Sequence, residues 1–553
     1  MPLLRWMVCA VWLFFMAHGA MGFAQQNTPL SNTPGKVQEA AYAWVEFAPK
    51  PGPAGYDPIL QLHPAAVFRR IQEGFPLNDP RDWPQPSAWK TRVNALADTC
   101  YGYSRWLNLA LVRATPAQQR ALQALPFVQA VAPVQPGEAD LLSGPASAQA
   151  PLQTQFSVAE YQRYQRQVME AERFTALDLN GRGVRIAVFD AGFKKMNERP
   201  GFAQLYQSGQ IAATKNFVNP GNEVYEAHQH GTMVMSCIAG LHAETPLGLA
   251  PEATFLLART EKPIGESPQE EFNWLRALEW ADENGAHLVN SSLGYTGRRY
   301  RREQMDGQQA IVTRAAAEAR ARGILVINAA GNEFDSGWRY LGAPADAEQI
   351  LTVGGINPET FLPSSFSSRG PTADGRLKPE LVAPGTAAVI GKNGPTTANG
   401  TSFAAPLVTG FAACARQRFP HLSVLELKEK LTRAGHLFPY ADYAHGYGVP
   451  KAGRLLQGLP AVPDTTFLLG VEPGILWFTG TDSANFETGH YAYLRYHSAD
   501  GRLLNYRVYE VEEPDFQLIE RPPRADADEA ALQERSVAIE IYYRGYTYRY
   551  ALD

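Results

Sequence analysis

Cysteine is scarce in this chain of 553 residues: there are four, and Cys9 lies in an apolar N-terminal run. The other three, Cys100, Cys237 and Cys414, are an odd number, which excludes a complete disulfide framework in an exported protein. At most one pair forms, and Cys237 with Cys414 is the better matched, both being on apolar helical stretches. Buried free thiols packing as small hydrophobes are the simpler account. Long hydrophobic runs are also missing. The one candidate, 6–17, has 12 residues, short of the roughly 20 that span a bilayer. Positive charge is not in excess: 50 Lys and Arg stand against 55 Asp and Glu, a net −5, so no bulk basic field favours nucleic acid. There is no low-complexity tract. With 45% apolar and 19% charged residues, a disordered or collagen-like chain is excluded.

The length accommodates two to four domains of roughly 100–200 residues each. At the N-terminus, Arg5 precedes the short apolar run, and small residues follow at Gly22 and Ala24. This pattern predicts a signal peptide over 1–24, cleaved before Gln25, and a secreted product, extracellular or periplasmic, with no membrane span after its removal. An uncleaved anchor is the alternative. The negative charge is concentrated at the other end, where 461–553 holds 16 acids, 8 arginines and no lysine. Such a balance usually serves solvation.

Residues 25–40 read as a polar start. AYAWVEFAPK (41–50) alternates like a strand, and HPAAVFRRIQ (63–72) like a short amphipathic helix. After a Pro/Trp/Asp-rich loop, 104–114 reads as a strand, 116–126 as a helix with proline in its first turn, and 127–134 as another strand. Together, 25–134 make a small α+β unit. Residues 135–156 are rich in Pro, Ala, Ser, Gly and Gln without apolar period, which predicts a linker.

From 157 to 460 the pattern alternates strand and helix. VRIAVFD (184–190), TFLLART (254–260), AHLVNSS (286–292), GILVINAA (323–330) and ILTVGGI (350–356) are near-continuous apolar runs, as strands buried on both faces are. The helical segments between them predict an α/β fold, a mostly parallel sheet with helices on both faces. Beyond it, 461–553 reads as a small acidic β-rich domain, interrupted by an acidic, Pro-containing stretch at 521–535.

Four residues stand where chemistry is done. Asp190 ends a buried strand, at the edge where α/β proteins bind ligands, although strands also end in Asp for turn chemistry. His230 opens the apolar helix HGTMVMSCIAG, beside Gly231, which permits close approach. A lone histidine there is more often structural. His228 makes an H-Q-H pair, but no Cys or carboxylate cluster at ligand spacing supports a metal. Asn332 follows a buried strand in INAAGNEF, where its amide can donate to a developing oxyanion or simply serve a turn. Ser402, in NGTSFAAPLVTGFAAC, begins an apolar helix after Gly400; free N–H groups and the helix dipole there favour negative charge, and a plain N-cap is the bland reading.

Taken together, the contexts DAG, HGT, AAGN and GTSFAAP, in that order, resemble the subtilisin-like serine peptidases, the subtilases, in which the order Asp, His, Ser is known. The resemblance covers about 175–460 and extends to NSSLGY, GLAPEA and FSSRGPTADGRLKPELVAPGT. It implies a secreted endopeptidase, made as a zymogen, acting through an acyl-enzyme on protein or peptide substrates without a cofactor. Ser402 would be the nucleophile, His230 the general base and then acid, and Asp190 the partner that holds the imidazole. The Asn332 side chain and the Ser402 N–H would form the oxyanion hole. Ser292-Leu293-Gly294 would be an edge strand pairing with substrate, Ala329-Ala330-Gly331 the opposite wall, and Gly342 the pocket base, suiting a sizeable apolar residue before the cut bond. The 25–134 unit resembles a pro-region, which would act as an intramolecular inhibitor, with 135–156 as the processing region. A permanent N-terminal domain is the alternative.

Two departures stand out. Ala191 follows the Asp where many relatives carry Thr or Ser, and the loop between Gly240 and Gly248 lacks the Asn-rich calcium loop of bacterial subtilisins. Two other classes of function compete: an inactive subtilase scaffold, and an adhesion or carbohydrate-binding role for 461–553 with its YYRGYTYRY segment.

Overall fold

The computed structural model describes residues 39–553 apart from 54–55, 135–155, 263–265, 359, 460–464, 473–474, 482–490, 512–514, 520–537 and 552–553. The expected signal peptide, most of the expected linker and the acidic 521–535 stretch therefore lie outside the described residues. Among those described, no helix is long and apolar enough to cross a membrane.

Seven parallel strands form the central sheet. Across it they run Leu381–Pro384, Leu351–Ile356, Leu325–Ala329, Leu288–Ser291, Arg185–Asp190, Thr254–Arg259 and Ile211–Asn216. Alternate residues point to opposite faces, and both faces are covered. Ile186, Val188 and Ile327 pack with the helices His230–Ala239 and Thr401–Arg418. Ala187, Phe189 and Val326 pack with Pro268–Glu283 and Ile311–Ala321. Continuous apolar runs are the consequence of this double burial. The first strand, Arg185–Asp190, sits inside the sheet with chain-adjacent strands added on one side and later ones on the other, so its carboxyl end lies at a topological switch point.

Ahead of this sheet lies a four-stranded antiparallel one, ordered Thr99–Ser104, Leu109–Ala114, Ala41–Phe47 and Val128–Pro133. One face carries Ala43, Val45 and Val112 against Val93 and Leu122 of helices Ser87–Leu96 and Pro116–Gln123. From the other face, Leu109, Leu111 and Trp44 pack against the Pro268–Glu283 helix, with the Trp44 and Phe272 rings 6.0 Å apart. Sandwiched between two sheets, this helix is buried nearly all round.

The expected 104–114 strand is two strands joined by a turn, and the loop before it contains the Ser87–Leu96 helix. The Pro64–Gln72 helix is amphipathic in an inverted sense. Phe68 and Ile71 face solvent at 67% and 60% exposure, whereas Arg69 and Arg70 are buried at 1%. Both guanidiniums bond to the buried carboxylate of Asp282 on the Pro268–Glu283 helix. Arg70 also holds Asp82 at 2.7 Å, and Asp82 in turn holds Arg322 at 3.2 Å. Burial pushes the Asp282 carboxyl upward, but Arg69 and Arg70 outweigh it and hold it below the ordinary value.

After the unit built on the seven-stranded sheet come two antiparallel sheets, one of strands Phe467–Glu472, Ile475–Gly480 and Asp515–Ile519, the other of Leu503–Glu510, Tyr491–His497, Ala538–Tyr543 and Tyr546–Ala551. Tyr493 and Tyr542 of the second sheet pack on Leu437 and Tyr440. The cysteines Cys100, Cys237 and Cys414 are free thiols in this structure.

Candidate active site

Asp190, fully buried, is the last residue of its strand. Its carboxylate accepts the Ala191 N–H at 2.8 Å and faces Nδ1 of His230 at 2.9 and 3.0 Å. His230 is the first residue of its helix, which comes this close because residue 231 is glycine. A Cβ there would lie 2.6 Å from the Gly192 carbonyl oxygen and 2.9 Å from the Asp190 Cβ. Burial works against an imidazolium at this position, yet the Asp190 carboxylate outweighs it and raises the pKa of His230 above the usual 6.5. His228 accepts the His230 N–H on Nδ1 at 3.3 Å, and burial lowers its pKa. Among the described residues no group of three or more His, Cys, Asp or Glu is arranged to hold a metal ion.

Ser402 is the second residue of the Thr401–Arg418 helix, where the N–H has no partner within the helix. The ring of Phe403, next in sequence, lies 5.7 Å from the His230 ring. The Ser402 hydroxyl donates to the Ser292 carbonyl at 3.3 Å, and the Ser292 hydroxyl donates back to the Ser402 carbonyl at 2.9 Å. Gly400, just before the helix, has φ +142, a backbone conformation that suits glycine.

Asn332 joins this group through Thr401. Its Oδ1 accepts both the Thr401 N–H, at 2.9 Å, and the Thr401 hydroxyl, at 3.0 Å. A backbone N–H can only donate, so the amide orientation is fixed and Nδ2 is the free donor. The Thr401 hydroxyl also accepts the Gly331 N–H at 3.2 Å. Sequence reasoning passed over Thr401, although a hydroxyl beside the helix-starting serine was the available signal.

The remaining expected residues surround this group. The Leu288–Ser291 strand ends before Ser292-Leu293-Gly294, so these three are an extension beyond the strand and not part of it. Asn328 explains the exit: its side-chain amide donates to the carbonyls of Leu293, at 3.0 Å, and Ala329, at 2.7 Å. Ala329 ends its own strand, Ala330 is buried and Gly331 has φ +109. Gly342 passes so near Tyr295 that a Cβ would lie 2.7 Å from the Tyr295 carbonyl oxygen.

Comparison with known proteins identifies the family. A family model described as the subtilase family matches residues 181–448, and one described as the peptidase S8 propeptide domain, Bacteroidota, matches 42–145. Subtilisin Savinase of Lederbergia lenta is 31% identical over 257 residues, covering 46% of this chain and 83% of that protein. Serine protease AprX of Bacillus subtilis is 29% identical over 314 residues, 51% of this chain and 67% of that one. Subtilisin DY of Bacillus licheniformis is 28% identical over 281 residues, 49% and 92% of the two chains. The fold and these matches define a serine peptidase with a propeptide domain ahead of it. The chain belongs to the subtilase family.

Proposed function

We propose that the protein is a secreted serine endopeptidase, made as a zymogen, in which Ser402, His230 and Asp190 act as the catalytic triad. The observation that carries this reading is the contact of His230 Nδ1 with the Asp190 carboxylate at 2.9 Å, beside the helix that presents Ser402. With Nδ1–H given to Asp190, the proton-free nitrogen of neutral His230 is Nε2. For attack, the Ser402 hydroxyl leaves the Ser292 carbonyl and gives its proton to that nitrogen while Oγ bonds to the scissile carbonyl carbon. Negative charge on the carbonyl oxygen is met by Nδ2 of Asn332 and the Ser402 N–H. His230 then protonates the departing amine, leaving an acyl-enzyme that water opens by the same steps in reverse role.

In the same reading, the backbone of Ser292-Leu293-Gly294 and of Ala329-Ala330-Gly331 lies on either side of the substrate. Gly342, expected at the pocket base, does not leave open room there: Tyr295 and Thr296 occupy the place a side chain would take. Residues 25–134 inhibit until cleavage within 135–156, and the signal over 1–24 directs export. A fluorophosphonate probe tests the triad. It is expected to label the mature enzyme at Ser402 and to leave Ser402→Ala and His230→Ala unlabelled. Unlabelled wild type makes the chain an inactive scaffold.

A further inference from the structure

A cleft of about 1490 Å³ opens between the peptidase loops and the Leu503–Glu510 strand of the C-terminal sheets. Its lining is unusually rich in arginine for an acidic protein: Arg302, Arg339 and Arg369 from one side, Arg502 and Arg507 from the other. Three carboxylates also line it, but two are occupied. Asp374 is held by Arg376 at 2.6 Å, and Asp306 accepts the N–H groups of Gln308 and Gln309 at 2.9 and 3.2 Å. Among the described residues Arg302, Arg339, Arg369 and Arg502 form no ion pair with a carboxylate, unlike Arg299 or Arg322 elsewhere in the same unit.

Two of these guanidiniums are already ordered. Arg302 lies 3.4 Å over the Tyr340 ring, and Arg369 lies 3.6 Å over the Phe334 ring while donating to the Tyr506 hydroxyl at 2.6 Å. Stacking leaves the exposed Arg302 fork free at its edges to take a carboxylate, with little side-chain entropy left to lose, whereas Arg369 has one terminal nitrogen on Tyr506 and its Nε buried. The cleft also adjoins the candidate active site. Ser368, which precedes Arg369, donates its N–H to the Gly331 carbonyl at 2.9 Å and accepts the Glu333 N–H on its hydroxyl at 3.0 Å. These bonds clamp it to the segment that carries Asn332. On the far side, the Tyr443 hydroxyl donates to the Leu503 carbonyl at 2.5 Å, joining the C-terminal strand to the peptidase unit.

We infer that this cleft is an exosite for a carboxylate-rich segment of the polypeptide being cut, and that forming its second wall is what the C-terminal sheets do. The inference rests on the peptidase reading above, because the polymer brought to this place is then the substrate chain. A long nucleic acid is disfavoured: the chain carries net −5, and 461–553 alone holds 16 acids against 8 arginines.

The test compares the mature enzyme on fluorogenic peptides with the same cleavable core, extended on either side by four glutamates or by four serines. The expected result is a kcat/KM at least about threefold higher with glutamate on one side, the size of one or two partly exposed ion pairs. That ratio falls to about one in Arg302→Gln/Arg502→Gln and in 0.5 M salt. Both arginines are solvent-exposed, and turnover of the serine peptide reports that the variant is folded. A ratio of one in the wild type, or a preference that survives the double substitution, overturns the exosite while leaving the peptidase reading intact. If neither peptide is cut, the peptidase reading itself fails. Binding of fluorescent hexaglutamate to Ser402→Ala, weakened by the same substitutions, still supports the site. Binding insensitive to them, or tighter binding of a single-stranded oligonucleotide, overturns it.

Discussion

Oδ1 of Asn332 accepts two hydrogen bonds from Thr401, one from its N–H at 2.9 Å and one from its hydroxyl at 3.0 Å. The residue adjacent to the proposed nucleophile thus sets the direction of the proposed oxyanion donor. Asn332→Asp keeps an acceptor for Thr401 and removes the donor. It is expected to lower kcat by roughly 10²–10³, the range that subtilisin itself supplies for loss of such a donor, with KM little changed. Steady-state kinetics on one peptide substrate checks this; a change confined to KM contradicts it.

Thr401→Val removes the hydroxyl alone. The Gly331 N–H then loses its acceptor in a site where Thr401 is fully buried. A loss of about 1–3 kcal/mol in unfolding free energy is expected, with a smaller fall in kcat than Asn332→Asp gives. Urea denaturation of the mature enzyme measures the first quantity.

Gly231→Ala places a Cβ 2.6 Å from the Gly192 carbonyl oxygen, a backbone atom that cannot swing aside. The His230 helix must then back away from Asp190. Destabilisation of about 1–3 kcal/mol is expected from overpacking, together with loss of activity larger than that stability change explains. An Ala variant with wild-type kcat and Tm would rule this out.

The Asp190 carboxylate also fixes the pH response. As the proposed base, His230 must be neutral to accept a proton from the proposed nucleophile Ser402, and its folded pKa is raised. The acid limb of kcat/KM is therefore expected above pH 6.5, with activity falling as pH drops through it. The same pairing stabilises the fold below the unfolded pKa, and that contribution is lost as pH rises through the higher folded value. Asp190→Asn is expected to move the acid limb downward and to lower kcat by about 10⁴. A pH–rate profile of each enzyme decides.

Much of the sheet was legible because strands buried on both faces announce themselves as apolar runs, as in Arg185–Asp190 and Leu351–Ile356. The elements missed lack that signal. Ile211–Asn216 is an edge strand and half-exposed, Leu381–Pro384 is short and ends in proline, and the Ser87–Leu96 helix buries only Val93. The motif residues could be named, since each stands at an element boundary that its neighbours mark. Arg69 and Arg70 could not be read correctly. A paired charge on a short helix ordinarily faces water, and the carboxylate that reverses this, Asp282, is 212 residues from Arg70.

That buried cluster makes its own prediction. Asp282→Ala leaves Arg69 and Arg70 without their shared carboxylate at 1% exposure. In the unprocessed Ser402→Ala zymogen it is expected to cost about 3–5 kcal/mol, read as a lower urea midpoint. Because the folded pKa of Asp282 is depressed, its contribution is present above the unfolded carboxylate value and is lost only as pH falls through the still lower folded one. The zymogen should hold together at pH 5.

The central claim is that Ser402 is a working nucleophile that releases its own pro-region. It is tested most directly by the intact masses of purified wild type and Ser402→Ala. The account predicts that wild type begins within residues 135–156 while Ser402→Ala begins at Gln25. Identical N-termini in the two proteins contradict it.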